Sequence, residues 1–304
     1  MSNERGHLFV VQADMTRLAA DAYLIPCDTE HYVNPVWEGL VPLGEEHPDG
    51  GWRLAPSEVD WRPDGLGVLA DTSPVDPSAD DVVGLRVFID TVSTKSVRDL
   101  VDRAMRGIEL AAALSHRHLR RHRRLIALPL LGVGQGTYST ERADVMDTLV
   151  TELAQFVSGH AIDVALVLFH DSDFAAAQWK RCAPHQNTDG PWSELRPDLQ
   201  ALAKDLGDKA AAGGLAVFAG SGVSQPLGMP GWRELLTTLA QGVGRRGPTD
   251  RTRDYPGFID RLRIENLNEQ VAKRFRTRKH ALSHALLIDL RTSSLVTTNY
   301  DPCL

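Results

Sequence analysis

The feature that most constrains the fold is a short apolar run that leads directly into glycines and then into a helix start. The run covers residues 215–219, and Gly220 and Gly222 follow it. Such runs are typical of parallel strands buried on both faces. Glycines let the backbone turn sharply and approach a phosphate, and a helix start attracts anions. The segment therefore predicts a nucleotide-binding strand, loop and helix. An unrelated tight turn is the alternative, because Gly228 does not fit the G-x-G-x-x-G spacing.

A second strand-like run, residues 294–301, ends in Thr298, Asn299 and Asp301, at the position where a ligand lies beyond the carboxyl end of a sheet. Together, the two segments resemble the sirtuin-like NAD-binding family. The first segment matches the family patterns G-A-G-x-S and G-[IM]-P, and the second matches T-x-N-x-D. The matching residues are Gly220, Ser221, Gly222, Ser224, Gly228, Met229, Pro230, Thr297, Asn299 and Asp301.

This resemblance implies a Rossmann-like α/β domain with NAD as its cofactor. The variant sequences Pro-Gly-Trp-Arg and Thr-Thr-Asn-Tyr-Asp look like the bacterial branch that hydrolyses NAD during antiviral defence. By the same resemblance, the loop from Gly220 to Ser224 holds the pyrophosphate, with Ser221, Pro230 and Thr298 also at the cofactor. Asn299 would position the ribose hydroxyls or the attacking water, and Asp301 would contact the nicotinamide carboxamide. Trp232 would shield the ribose from solvent, with a core tryptophan as the alternative.

The length of this segment predicts an incomplete domain. Residues 195–304 leave room for about two strands, and a two-stranded parallel sheet cannot cover both faces. We therefore expect a fragment, or a domain completed by another chain, either in a homo-oligomer or with a partner. The family's general base follows the T-x-N-x-D segment and would lie beyond Leu304, so we assign none. His280 and His284 have helical i, i+4 spacing, which predicts histidines on a helix surface or at the edge of the core.

Two other functions are compatible with these residues. A protein deacylase would need an acyl-lysine channel, and would release nicotinamide only when an acylated lysine is present. A noncatalytic module would bind NAD or an ADP-ribose-like nucleotide without turnover.

The first half of the chain alternates apolar strands with amphipathic helices. A strand that runs into a short acidic turn is predicted over residues 8–16, further strands over 22–27, 125–131 and 163–169, and helices over about 97–115 and 141–157. This alternation predicts an α/β layer fold with a mostly parallel sheet. Residues 38–81 form an insertion rich in proline, glycine and tryptophan, which predicts either a functional lid or a locally packed surface loop.

Three segments of this half resemble a macro domain, the ADP-ribose-binding module. Residues 13–16 match its G-D-I-T turn, residues 21–28 its D-A-I-V-N-A-A-N strand, and residues 128–136 its P-x-L-G-T-G-x-x-G loop. The resemblance implies a three-layer α/β fold in which Asp14 binds the adenine amino group and the loop glycines line the phosphates. Those glycines are Gly132, Gly134 and Gly136. The family's catalytic asparagines are replaced around residues 26–28, so hydrolysis by this domain is not expected, and a scaffold that has lost its ligand is the alternative.

Composition and length predict the overall organisation. We predict a macro-like domain over residues 1–183, a linker over 184–194 and a sirtuin-like domain over 195–304. No apolar run approaches the length of a membrane span and the amino terminus lacks a signal peptide, so a cytoplasmic protein without membrane contact is expected. The net charge of −7 argues against nucleic-acid binding. The three cysteines are widely spaced, which predicts no disulfide framework and no metal site.

Overall fold

The structure, a computed structural model, describes residues 5–41, 45–46, 51–54, 59–69, 84–117, 119–134, 137–182 and 195–304. The chain divides into two compact units, and the division between their longest segments falls between Gly207 and Asp208. The predicted linker, residues 184–194, and the predicted phosphate-loop residue Gly136 lie outside the described residues.

The first unit is built on a mostly parallel sheet, which confirms the predicted α/β class. Its strands are β1 (Leu8–Gln12), β2 (Ala22–Cys27), β3 (Tyr32–Val33), β4 (Glu45–Glu46), β5 (Trp52–Arg53), β6 (Asp60–Trp61), β7 (Leu66–Leu69), β8 (Leu85–Asp90), β9 (Arg124–Leu128) and β10 (Ile162–Leu168). The main sheet has the order β1-β10-β9-β2-β8-β7-β6. The neighbouring strands β1, β10, β9, β2 and β8 run parallel to one another. β7 is antiparallel to β8, and β6 is antiparallel to β7. The short strands β3, β5 and β4 form a separate antiparallel sheet.

Among the described residues, three α-helices pack on this unit because their apolar residues recur at helical spacing. They are α1 (Val97–Leu114), α2 (Arg142–Gly159) and α3 (Asp171–Cys182). The Ser96 side chain accepts a hydrogen bond from the Asp99 backbone N–H and so caps the start of α1. Buried residues of α1 and α2 share one apolar core with side chains from the parallel strands. A further helix, α4 (Pro197–Ala211), contains the point at which the two units divide.

The other face of the sheet is also buried. Tyr23 and Phe88 are completely inaccessible to solvent, and the Tyr23 hydroxyl donates a 2.6 Å hydrogen bond to the Leu18 carbonyl. Trp61 lies 6.0 Å from Phe88, measured between ring centroids, and stacks on His31. These contacts favour the packed-loop alternative for the part of the insertion that contains Trp61.

The second unit contains two parallel strands and four helices beyond α4 in the described residues. They are β11 (Ala216–Ala219), α5 (Trp232–Gly242), α6 (Tyr255–Leu262), α7 (Leu267–Phe275), α8 (Leu282–Asp289) and β12 (Ser294–Thr297). Ala219 pairs with Thr297 at the carboxyl ends of the strands. The turns that follow the two strands therefore start side by side.

The expectation that β11 is buried on both faces is wrong. Phe218 is 80% exposed and Val296 of β12 is 44% exposed. The physical reason is that, within the described residues, β11 and β12 pair with each other alone. No helix among the described residues combines the length and the apolar character needed to cross a membrane.

Candidate functional site

The predicted motif residues of the second unit meet at the carboxyl ends of β11 and β12. The Asn299 side-chain amide donates to the Gly220 carbonyl at 3.2 Å, which joins the two turns. The Asn299 backbone N–H donates to Thr297 Oγ1 at 3.0 Å. Parallel pairing of the strands thus brings residues 79 positions apart into direct contact.

Ser224 is the centre of this contact and is 1% exposed. Its hydroxyl donates to Asp301 Oδ2 at 2.8 Å. The same oxygen lies 3.1 Å from His284 Nε2 and 3.1 Å from Asn299 Nδ2. A hydroxyl has one proton and two lone pairs, so one donated and two accepted hydrogen bonds satisfy Ser224 completely.

The hydrogen bonds determine how the Asn299 amide is oriented. The Gly220 carbonyl can only accept, so the atom beside it must be the nitrogen Nδ2. Asn299 Oδ1 consequently points the other way, and this buried oxygen has no hydrogen-bond partner among the described residues. A buried carbonyl oxygen without a partner is costly, and such groups occur where a ligand or water completes the bond.

A small cavity lies next to Asn299. Trp232 and Tyr300 form part of its wall in an edge-to-face pair, with ring centroids 5.6 Å apart and an interplanar angle of 75°. Trp232 is 40% exposed, so it is not a core tryptophan. The residues that line the cavity are Ser221, Ser224, Met229, Pro230, Trp232, Leu235, Phe275, Thr298, Asn299, Tyr300 and Asp301.

The glycines of the phosphate loop predicted for the second unit leave open space beside them. A Cβ atom added to Gly220 or Gly222 would meet no other atom within 4 Å. Gly220 has a φ of −105°, which any residue adopts. The fold itself therefore does not require a glycine at Gly220, and the room beside the loop is available to a ligand.

Asp301 and His284 are buried polar residues, and Cys303 beside them is half-buried. The Asp301 side chain is 1% exposed, and its Oδ1 accepts from the Cys303 backbone N–H at 3.2 Å. Burial lowers the pKa of His284, and the nearby Asp301 carboxylate opposes that shift. Burial, together with hydrogen bonding to Asp301, raises the pKa of the Cys303 thiol to about 12.

His284, Asp301 and Cys303 form one group of possible metal donors within the described residues, with donor atoms inside 4.8 Å of one another. Each donor already has a partner. His284 Nε2 faces Ser224, Asp301 accepts from Ser224 and Cys303, and the Cys303 thiol donates to the Lys279 carbonyl at 3.5 Å. These hydrogen bonds engage all three donor groups within the protein.

His284 is the residue of this site that the sequence interpretation missed. His280 precedes α8 rather than sharing a helix with His284, so the expected pair on one helix face is wrong. His284 lies in the first turn of α8 and is 1% exposed. The sequence signal for its burial is its position between the apolar residues Leu282 and Ala285, which the structure also buries.

In the first unit, Asp14 and Phe169 lie at the same end of the sheet. Gln12 of β1 pairs with Leu168 of β10, so the turns after both strands begin side by side. Asp14 Oδ1 accepts from the Thr16 backbone N–H at 2.9 Å and from its hydroxyl at 2.6 Å. The Phe169 side chain is 73% exposed. The sequence interpretation did not single out Phe169, although an apolar residue directly after a buried strand is a usable signal.

The phosphate loop predicted for the first unit has two described glycines, and they differ in the space that an added side chain would find. Gly132 has a φ of +70°, and an added Cβ would lie 2.8 Å from Leu100 Cδ2. An added Cβ on Gly134 would meet nothing within 4 Å. A separate polar cavity borders the starts of α1 and α2, and neither glycine lines it. The lining residues are Thr94, Lys95, Ser96, Val97, Arg98, Thr137, Tyr138, Glu141, Asp144, Asp147 and Thr148.

Comparison with known proteins does not assign a family. No protein-family profile and no curated protein sequence matches the chain. Among solved structures, the macrodomain of Oceanobacillus iheyensis with MES bound is 12% identical, with a TM-score of 0.38, and covers 59% of this chain and 93% of its own. The same macrodomain with ADP is 12% identical, with a TM-score of 0.38, over 59% of this chain and 92% of its own.

Proposed function

We propose that the second unit binds NAD and cleaves its bond between ribose and nicotinamide. The observation that carries this proposal is the Asn299 amide, because Asn299 lines a cavity together with Trp232 and Tyr300 and its buried Oδ1 has no hydrogen-bond partner in the part of the chain that the structure describes. The sequence resemblance to NAD-hydrolysing sirtuin-like proteins supports the same choice of substrate. The open loop at Gly220 and Gly222 leaves room for the pyrophosphate, which backbone N–H groups would bind.

In the proposed reaction, the glycosidic bond breaks and its electron pair leaves with nicotinamide. Positive charge develops on the ribose, water adds to the anomeric carbon, and the products are nicotinamide, ADP-ribose and a proton. Asn299 Oδ1 would accept a hydrogen bond from a ribose hydroxyl or from the attacking water and so hold it in place. The buried Asp301 carboxylate would contribute negative potential where the positive charge develops.

Nicotinamide release by the full chain tests this function. Wild type is expected to convert NAD to nicotinamide and ADP-ribose, separated by chromatography, and Asn299→Ala is expected to abolish the conversion. Asn268→Ala is the matched control, because Asn268 is an exposed asparagine on α7. Equal turnover by wild type and Asn299→Ala would exclude Asn299 from the reaction.

A noncatalytic NAD sensor is the second candidate. The observation that favours it is that Asp301 is the only carboxylic acid among the residues lining the described cavity, and no histidine is among them. Hydrolysis usually uses a general base with a pKa near the working pH. Calorimetric binding of NAD by wild type without any release of nicotinamide would favour the sensor over the hydrolase.

We also propose that the first unit binds ADP-ribose or a related nucleotide as a signal. Thr16 hydrogen-bonds to Asp14 Oδ1, whereas Asp14 Oδ2 lies 3.8 Å from Arg17 Nε in an exposed ion pair and has lone pairs that can accept from an adenine amino group. The exposed Phe169 ring, at the same end of the sheet, offers a surface on which a base can stack. Titration of ADP-ribose into wild type and Asp14→Ala tests the assignment. Unchanged affinity would exclude Asp14 from the site.

The antiviral role that the resemblance implies is a further part of this proposal. Bacteria expressing wild type are expected to resist phage infection and lose NAD, and bacteria expressing Asn299→Ala are expected to do neither. Resistance that persists with Asn299→Ala would separate defence from NAD cleavage.

A further inference from the structure

His284 is a buried titratable residue that the proposed reaction does not use directly. It is 1% exposed and does not line the cavity beside Asn299. Both of its ring nitrogens nevertheless have partners. Nδ1 lies 3.0 Å from the Ala281 backbone N–H, and Nε2 lies 3.1 Å from Ser224 Oγ.

These partners determine which nitrogen carries the proton. A backbone N–H can only donate, so Nδ1 must offer its lone pair to Ala281. In a neutral imidazole the proton is then on Nε2, which donates to Ser224 Oγ. The Ser224 proton remains available for Asp301 Oδ2, at 2.8 Å. Every donor in this chain meets an acceptor.

The chain of hydrogen bonds ends at Asn299. Ser224 Oγ has a second lone pair, which accepts from Asn299 Nδ2 at 3.1 Å. The other acceptor for this amide is the Gly220 carbonyl, at 3.2 Å. If Nε2 instead carried a lone pair, Ser224 could not donate to both His284 and Asp301. Either the imidazole nitrogen or the Asp301 carboxylate would then lack its donor, and Ser224 Oγ would not be held from both sides at the position where it accepts from Asn299.

We propose that His284 is a positioning residue that, as a neutral imidazole protonated on Nε2, holds the Asn299 amide in its working orientation through Ser224. The inference rests on the proposed function, because it concerns the same pocket. It also assigns Ser224 a structural rather than a nucleophilic role, since His284 donates to Ser224 Oγ and so cannot accept the serine proton. Burial, the largest influence on the pKa of His284, favours the neutral form.

Within the described residues, the imidazole faces the ionisable groups of Asp301, with Oδ1 at 4.0 Å from Nε2, and of Cys303. The carboxylate opposes the effect of burial, and the thiol is protonated. A second proton on the imidazole would face the Ala281 N–H donor. Protonation would therefore break the contact that aligns the ring.

Two variants separate positioning from simple packing. In His284→Gln, the side-chain amide nitrogen can still donate towards Ser224, whereas in His284→Asn the shorter side chain can accept from Ala281 but cannot reach Ser224. We expect His284→Gln to retain most nicotinamide release, and His284→Asn to lose about a hundredfold in kcat with a smaller change in KM. Equal melting temperatures for the two variants would show that both fold.

Two spectroscopic readouts do not depend on turnover. Nitrogen-15 spectra of the full chain are expected to show His284 as the Nε2–H tautomer at neutral pH. The Asn299 side-chain amide is expected to exchange with solvent more slowly than that of Asn268 in wild type and His284→Gln, but not in His284→Asn.

Finding the Nδ1–H tautomer, or equal protection of Asn299 in both variants, would overturn the positioning role. Failure of wild type to bind or cleave NAD, with both spectroscopic results as expected, would instead overturn the proposed function and leave His284 as the residue that orients Asn299.

Discussion

Ser224 donates a 2.8 Å hydrogen bond to Asp301 Oδ2, although the two residues are 77 positions apart in the chain. The bond connects the turn after β11 to the turn after β12. Both side chains are almost inaccessible to solvent, at 1% for Ser224 and 1% for the Asp301 side chain. A buried carboxylate needs such donors, because its desolvation is otherwise uncompensated. The site is therefore a part of the folded core of the second unit as well as a candidate ligand pocket.

Ser224→Ala is expected to destabilise the second unit by about 1–3 kcal/mol, because it removes the donor to a buried carboxylate. Chemical denaturation, with hydrogen exchange of the β11 amides as the readout, measures this change in stability. Ser221→Ala is the control, since Ser221 lies in the same loop but is only half-buried. A loss no larger than that of the control would show that the Asp301 carboxylate finds another donor.

Gly222→Ala is expected to weaken NAD binding at least about tenfold without altering the melting temperature, a loss of about 1.4 kcal/mol. The added methyl group meets no protein atom within 4 Å, so its effect falls on a ligand that approaches the loop. Calorimetric titration with NAD measures the change. Gly242→Ala, at the far end of α5 and equally open, is expected to bind NAD like wild type. Unchanged affinity in Gly222→Ala would place the pyrophosphate elsewhere.

Much of the fold could be predicted because its elements have strong local patterns. The apolar runs that form β1, β2, β9 and β10 are observed within a few residues of the predicted bounds. The strand β8 was missed, since Arg86 interrupts its apolar run. The contact between His284 and Ser224 spans 60 residues and depends on how α8 packs against the loop after β11. No local periodicity predicts that packing. Gly220 and Asn299 could be predicted as site residues because each belongs to a short sequence motif.

Gly132→Ala is expected to destabilise the first unit by about 1–3 kcal/mol, because an alanine is strained at a φ of +70° and its methyl group would press against Leu100. Thermal unfolding measures the loss. Gly134→Ala, which meets nothing within 4 Å, is expected to leave the stability unchanged. Equal stabilities for the two variants would mean that the turn at Gly132 relaxes without cost.

The stability of the second unit is expected to fall as the pH is lowered from about 7.5 through the unfolded-state pKa of histidine, about 6.5. Burial lowers the pKa of His284 in the folded protein, so the unfolded chain binds the proton more readily in this range. The stabilisation is complete above the unfolded pKa and is lost as the pH falls towards the folded value. Hydrogen exchange of β11 amides measures the slope, and His284→Gln is expected to flatten it. An identical slope in that variant would assign the effect to other histidines.

The Cys303 thiol is expected to react with iodoacetamide at pH 8 far more slowly than a free cysteine, because burial and Asp301 raise its pKa to about 12. Asp301→Asn removes the negative charge and is expected to accelerate the reaction. Peptide mass spectrometry resolves this site from the other cysteines. A wild-type rate equal to that of free cysteine would show that the thiol is exposed or ionised.

Phe169→Ala is expected to weaken ADP-ribose binding to the first unit by about 1–3 kcal/mol, the usual contribution of one base stacked on an aromatic ring. The Phe169 side chain is 73% exposed and packs little against the core, so its removal should cost little stability. Phe169→Tyr keeps the ring and is expected to bind like wild type. Calorimetry in a Gly222→Ala background isolates this site from the second unit. Trp179→Ala is the matched control, since Trp179 is an equally exposed aromatic residue on α3, at 75%. If Phe169→Ala and Trp179→Ala bind equally well, the base does not stack at the end of β10, and Asp14 would have to recognise it without an aromatic partner.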